Sequence, residues 1–179
     1  DDFVWSPDGK IVAVQGTAAD GLHQDIVAFE PGGNLQARLF VAAGTRSWRP
    51  LDWSPDGARL LLENEANSQQ SELWLADAAS GGIAQIALPS PPGRVRAARF
   101  APDGRGVHLI AQFGEDYARL QYFDPVANTL RPLTAEIPWD IESFAVSPDG
   151  RYLAFVANVA GVSRLTVIDQ IARSELLPA

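Results

Sequence analysis

Four aspartates of this chain stand in nearly the same phrase. Asp8, Asp56 and Asp149 hold the third place of Ser-Pro-Asp-Gly, and Asp103 that of Ala-Pro-Asp-Gly. Brought together, four carboxylates would make a ring for a hard cation, because such ions take oxygen donors. The two histidines, His23 and His108, belong to the residue type most used for general acid–base work. Ser80, in Ala79-Ser80-Gly81-Gly82, is the nearest approach to a nucleophile's setting. A nucleophile elbow reads G-x-S-x-G, and no such run occurs. There is no cysteine, so thiolate sites and disulfides are excluded.

The elements that carry these residues decide among the readings. Pro7, Pro55, Pro102 and Pro148 are separated by 48, 47 and 46 residues. A second column runs in phase, where apolar segments end in Glu30, Asp77, Asp124 and Asp169, spaced 47, 47 and 45. Two columns with one period in the forties, and with strand-like segments, indicate a propeller-type array. Each unit reads as four strands: DFVW, KIVAVQG, DIVAFE and LQARLF in the first; PLDW, RLLLENE, ELWLAD and IAQIAL in the second. The third has RAARF, VHLIAQF, RLQYFD and TLRPLT, and the fourth ESFAV, YLAFVAN, RLTVID and SELLPA. No stretch of ten or more residues has a strong helical period. The fold class is therefore all-β, with four four-stranded antiparallel blades over about 1–41, 49–88, 96–134 and 141–179 of a single domain. The second strands are apolar on both faces, as strands between stacked sheets should be.

In this frame the repeated phrase is a hairpin. Proline presets φ at the second position of a type I turn, Asp bonds nearby backbone, and Gly takes φ > 0. The aromatic or apolar residue before it fills the space between blades. Each aspartate has a local use and the turns lie on separate blades, so neither a metal ring nor any cofactor is expected.

The formal net charge of −8 opposes binding to phosphate backbones, so nucleic acid is not an expected partner. The local basic cluster Arg94, Arg96, Arg99 and Arg105 reads as a solvated rim. No apolar run approaches the ~20 residues that span a bilayer, and no membrane partner is expected. The chain lacks Met and runs at once into Phe3-Val4-Trp5, which reads as part of a longer protein, an arc of a larger propeller.

The phrases W-SPDG-K-IVAV, W-SPDG-ARLLL and V-SPDG-RYLAF, each followed by a strand ending in an acid, resemble the TolB-like β-propeller repeat. That repeat is found in the periplasmic Tol-system protein and in the N-terminal propeller of prolyl oligopeptidase family serine peptidases. Residues 133–169 look most like the bacterial peptidase branch. The resemblance implies a non-catalytic propeller that gates peptide substrate on its way to an α/β-hydrolase domain of the same parent chain. A TolB-like protein-interaction propeller with no peptidase attached is the other reading. No catalytic residue carries over: the family triad has no counterpart here, and both histidines read as structural. The compartment, cytoplasmic or periplasmic, stays open.

Loops on a rigid scaffold are where binding resides. The loops between second and third strands, with the connectors between blades, form the longer and more varied face. Trp48, Arg49, Arg96, Trp139 and Asp140 fall near the starts of first strands, at the expected mouth of a central channel. They form the candidate binding face, for substrate or a partner domain. The alternative is that both tryptophans pack between blades. If the chain is an arc, its end blades carry bare apolar faces, and self-association through them is expected.

Overall fold

The computed structural model describes residues 3–32, 38–67, 69–88, 91, 93–172 and 174–176. Asp2 of the expected DFVW strand, the start of the expected LQARLF strand, Gly33 and Asn34 just before it, Ser90 and Pro92 between the second and third blades, and 177–179 lie outside the described residues. The chain divides into two compact units, 1–87 and 88–179. The first unit holds two sheets: β1 (Phe3–Trp5), β2 (Val12–Thr17), β3 (Gln24–Phe29) and β4 (Arg38–Val41), then β5 (Trp48–Trp53), β6 (Arg59–Asn67), β7 (Gln70–Asp77) and β8 (Ile83–Ile86). The second unit holds β9 (Arg94–Phe100), β10 (Val107–Gln112), β11 (Arg119–Asp124) and β12 (Thr129–Pro132), then β13 (Ile141–Val146), β14 (Tyr152–Val159), β15 (Val162–Asp169) and β16 (Ser174–Leu176). Each sheet is an antiparallel meander in chain order, as the repeat predicts. Among the described residues there is no helix, hence none long and apolar enough to cross a membrane.

The repeated phrase makes the β1–β2 type of hairpin through one hydrogen-bond set. In the second blade Gly57 N–H donates to the Ser54 carbonyl at 2.8 Å, and Ser54 N–H to the Arg59 carbonyl at 2.8 Å. The Ser54 hydroxyl donates to Asp56 Oδ1 at 2.6 Å and accepts from Arg59 N–H at 2.9 Å. Ala58 N–H donates to the same Asp56 oxygen at 3.0 Å. Gly57 sits at φ +68°, a region a Cβ would strain. The turns also meet between blades: a methyl on Gly57 would lie 3.9 Å from Pro7, and one on Gly150 would lie 3.9 Å from Pro102.

The second column of acids closes the other hairpins. Asp77 accepts from Ser80 N–H, Asp124 from Val126 and Ala127 N–H, and Asp169 from Ile171 and Ala172 N–H. These are Asx turns, in which a side-chain oxygen replaces a backbone acceptor. Asp169 also takes the Arg151 guanidinium, which with those N–H groups holds its carboxyl below the usual range.

Each unit has its core between its two sheets. In the first, Ala13, Ile26, Ala28 and Phe40 of the first blade meet Trp53, Leu60, Leu62 and Ala76 of the second. In the second, Ile110 and Leu120 meet Ile141, Leu153 and Phe155. Leu60, Leu61 and Leu62 are all fully buried, and so are Leu109 and Ile110. Consecutive strand residues point to opposite faces, so these sheets are dry on both sides.

One hairpin carries a flaw that can be repaired. Val159 pairs with Val162 across a two-residue loop, in which Ala160 has φ +53° and Gly161 φ +85°. That turn prefers Asn-Gly. Replacing Ala160 by Asn should stabilise the chain by about 1 kcal/mol, read as a higher urea midpoint at constant m. A lower midpoint would mean that Ala160 is held there by something other than the turn.

Candidate functional site

Arg96 and Asp140 come from different blades and meet. The register of β9 against β10 skips between Ala97 and Val95, so Arg96 is the extra residue of a bulge. A bulge re-aims its side chain. Arg96 reaches Asp140, just ahead of β13, with Nη1 donating to Oδ2 at 3.0 Å. Asp140 Oδ1 accepts from Ala118 N–H at 2.7 Å. Both side chains stay more than a third exposed, which makes the pair weak as a stabiliser and open to a ligand. Trp139 beside them is half-buried.

The other two candidates are more deeply tied in. Trp48 is 1% exposed, donates through Nε1 to the Ala42 carbonyl at 3.0 Å, and stands edge-on to Trp74. Arg46 lies over both rings. Arg49 is half-buried and pairs with the buried Glu63 carboxylate, its Nε donating at 2.8 Å. Trp48 thus belongs to the inter-blade core of its unit, and Arg49 borders it.

The motif aspartates are used where they stand. Asp8, Asp56 and Asp149 each accept from the serine hydroxyl two residues earlier and from the N–H two residues later. Those bonds, the hydroxyl first, hold all three below the usual carboxylate range. Among the described residues, no three His, Cys, Asp or Glu side chains gather as a metal ion would need. His23 is matched with Asp20 inside its own loop, Nδ1 to Oδ2 at 2.5 Å. The imidazole and two backbone N–H groups pull Asp20 down to about 2.

His108 is the residue whose setting the sequence did not disclose. It lies on β10 with its ring edge-on to Tyr122 of β11 and tilted against Phe144 of the next blade, at 5.1 and 6.2 Å between centroids. It is 5% exposed, and its buried Nδ1 has no hydrogen-bond partner. Loss of solvation pushes its pKa down to about 4, with Arg131 adding to the fall and Asp103 opposing it. The one available signal was a polar residue second in a largely apolar strand, VHLIAQ.

Comparison with known proteins follows the architecture. No family model matches this chain, and no curated protein does. Among solved structures, TolB from Acinetobacter baumannii superposes with a TM-score of 0.78 at 18% identity, over 98% of this chain and 42% of that one. Prolyl oligopeptidase B from Galerina marginata gives 0.75 at 14% identity, over 98% and 26%. A puromycin hydrolase gives 0.69 at 18%, over 98% and 28%. The four sheets are β-propeller blades, similar in fold to those of TolB. At such identities the likeness speaks for the fold, and the chain spans between 26% and 63% of the length of the structures it matches.

The buried histidine gives a pH dependence of stated sign. Its folded pKa lies below the unfolded value of about 6.5, so the unfolded state binds the proton more tightly. Stability is full above pH ~6.5 and falls as pH drops toward about 4, by roughly 3 kcal/mol in all. The Asp20 contribution is lost in a separate, more acidic window, ending near 2. Urea unfolding from pH 7 to 4 should show this slope, and His108→Leu should flatten it. An unchanged slope in that variant would assign the dependence to other groups.

Proposed function

We propose that this chain is a non-catalytic propeller segment of a longer protein, which makes protein contacts and gates peptide access to a prolyl oligopeptidase-like serine peptidase domain of the same parent chain. The observation that supports it most is the match of 98% of the chain to 26% of prolyl oligopeptidase B, a protein described as bound to a 35mer hydrolysis and macrocyclization substrate. The residue chemistry agrees. His23 and Oδ1 of the motif aspartates are held in their own turns and His108 is buried, which leaves loops on a stiff frame. Arg96, Asp140 and Trp139 offer a hydrogen-bonding and aromatic surface for a peptide or for the partner domain, while Trp48 and Arg49 belong to the packing of the other unit. The TolB-like reading, an interaction propeller with no peptidase, is favoured by the equally good match to TolB.

The coding sequence flanking this chain separates the two. A downstream G-x-S-x-G followed by Asp and His is expected, and its absence from the parent protein removes the peptidase reading. In a parent peptidase, Arg96→Ala with Trp139→Ala should relax size selection and raise kcat/KM for long peptides severalfold relative to short ones. An unchanged ratio would take these residues out of the gate.

The end blades bear on self-association. Register places Phe3, Trp5, Val12, Val14, Val27, Phe29 and Leu39 on one face of the first sheet, with Phe3, Trp5 and Leu39 54%, 51% and 58% exposed. The outward face of the fourth sheet presents Ala145, Val156 and an exposed Leu165. Stacking on a second copy of this chain would remove both faces from water as the inner faces already are. Light scattering on the 179-residue chain should give at least twice the chain mass, returned to monomer by Trp5→Asp. A monomeric mass for the unmutated 179-residue chain overturns this.

A further inference from the structure

The third blade departs from the pattern of its own repeat at four positions. Ala101 stands where the other turns have Ser6, Ser54 and Ser147. Gly106 stands where they have Ile11, Arg59 and Tyr152. His108 replaces Ala13, Leu61 and Ala154, and its cross-strand partner Tyr122 replaces Ala28, Leu75 and Val167. Four independent departures meet in one place. A side chain at Gly106 would collide with Tyr122, its Cβ falling 2.4 Å from the phenol oxygen, so Gly106 is what admits the tyrosine. Without the serine hydroxyl, the Asp103 carboxylate receives a single bond among the described residues, from Arg105 N–H at 3.0 Å.

The result is a pocket of about 430 Å³ within the second unit, lined by Ala101, Asp103, His108 and Tyr122, and by Pro148 and Asp149 of the next blade's turn. The turns take Oδ1 of Asp103 and Asp149 and make no use of Oδ2. His108 lines the pocket with its ring, and its buried Nδ1 has no hydrogen-bond partner among the described residues. A buried polar atom left in that state calls for an explanation. The Tyr122 ring adds a π-face.

We propose that this pocket binds one small organic cation, a primary ammonium on a short apolar stem. Two carboxylates, an imidazole ring and a phenol ring line one pocket, and the lining contains neither Lys nor Arg. The stem has Pro148 and Ala101 to lie against. Arg131 stands outside the lining with its guanidinium 5.8 Å from the Tyr122 ring centre. It offsets part of the acidic charge, which suits the site to a single positive charge. A free amine and the side chain of a lysine share this chemistry.

The chain's two histidines make the test direct, because His23 lies in the other unit and serves as an internal reference. Imidazole nitrogen NMR would follow both while n-butylammonium is titrated, with n-butanol as the neutral match and Nα-acetyl-lysine amide as the side-chain probe. The expected result is a saturable shift at His108, absent at His23, given by the cations and not by butanol, and weakened by added salt. Asp103→Asn and Asp149→Asn keep the turn acceptor and should weaken binding by roughly tenfold or more each. Binding of butylammonium alone assigns the site to free amines, and equal binding of the lysine probe extends it to protein side chains. No saturable shift with either cation, the same response to butanol, or undiminished binding in both Asn variants overturns the proposal. Salt dependence in the unmutated chain keeps the test valid should a variant misfold.

Discussion

A sheet that is apolar on both faces cannot stand alone in water. Everything else in this chain depends on that constraint. Leu60, Leu61 and Leu62 run consecutively with no exposure, so neither face of their blade can be a wet one. Burial of each such side chain is worth about 1.5–3 kcal/mol, realised only when a neighbouring sheet arrives. The blade is therefore a unit of folding that is incomplete by construction, and stacking is the condition of its existence. This explains why the motif turns carry proline and glycine on surfaces that touch the adjacent blade, as Gly57 does at Pro7 and Gly150 at Pro102. The turn that reverses the chain also sets the spacing of the stack.

The same logic separates structural chemistry from chemistry that is left over. Each motif aspartate commits Oδ1 to the N–H group two residues on, and Asp103 and Asp149 keep Oδ2 outside the turn. Arg49 answers Glu63, and His23 answers Asp20. What remains uncommitted is concentrated in the second unit. There the bulged Arg96 with Asp140 presents an exposed ion pair, and His108 has a ring nitrogen with no answer. Both arise where a repeat position breaks its local rule, by an added residue in one case and by substitutions in the other.

Much of the fold was legible because the two columns are turn chemistry, and turn chemistry is local. Pro-Asp-Gly states its hairpin without knowledge of what packs above it, and an acid at the end of a strand announces the next hairpin. The strand assignments followed, since each is bracketed by two such signals. The site was less legible for the opposite reason. Trp48 and Trp139 occupy similar places next to first strands, yet one is an inter-blade plug with its N–H on the Ala42 carbonyl and the other is half-buried. Only neighbours distant in sequence, Trp74 and Arg46 among them, decide that. Arg96 and Asp140 are 44 residues apart and meet through a register skip that no composition rule foretells. His108 looked like a core histidine and is one. What the strand VHLIAQ could not reveal is that its partner across the ladder is a tyrosine and that Gly106 makes room for it.

The strict meander order of every sheet bears on how the chain is made. Each strand pairs only with the strand before it and the strand after it. The longest closure within a blade is one hairpin, so contact order is low for an all-β protein, and the slow step common to β-sandwiches has no counterpart within a blade. A ribosome delivering this chain would release the strands of one blade at a time, every forty-odd residues. Each new blade would offer a fresh apolar face to its successor. Assembly of this kind grows from a seed like a stack, and the exposed end of the stack, not its middle, is where misassociation with another nascent chain would begin.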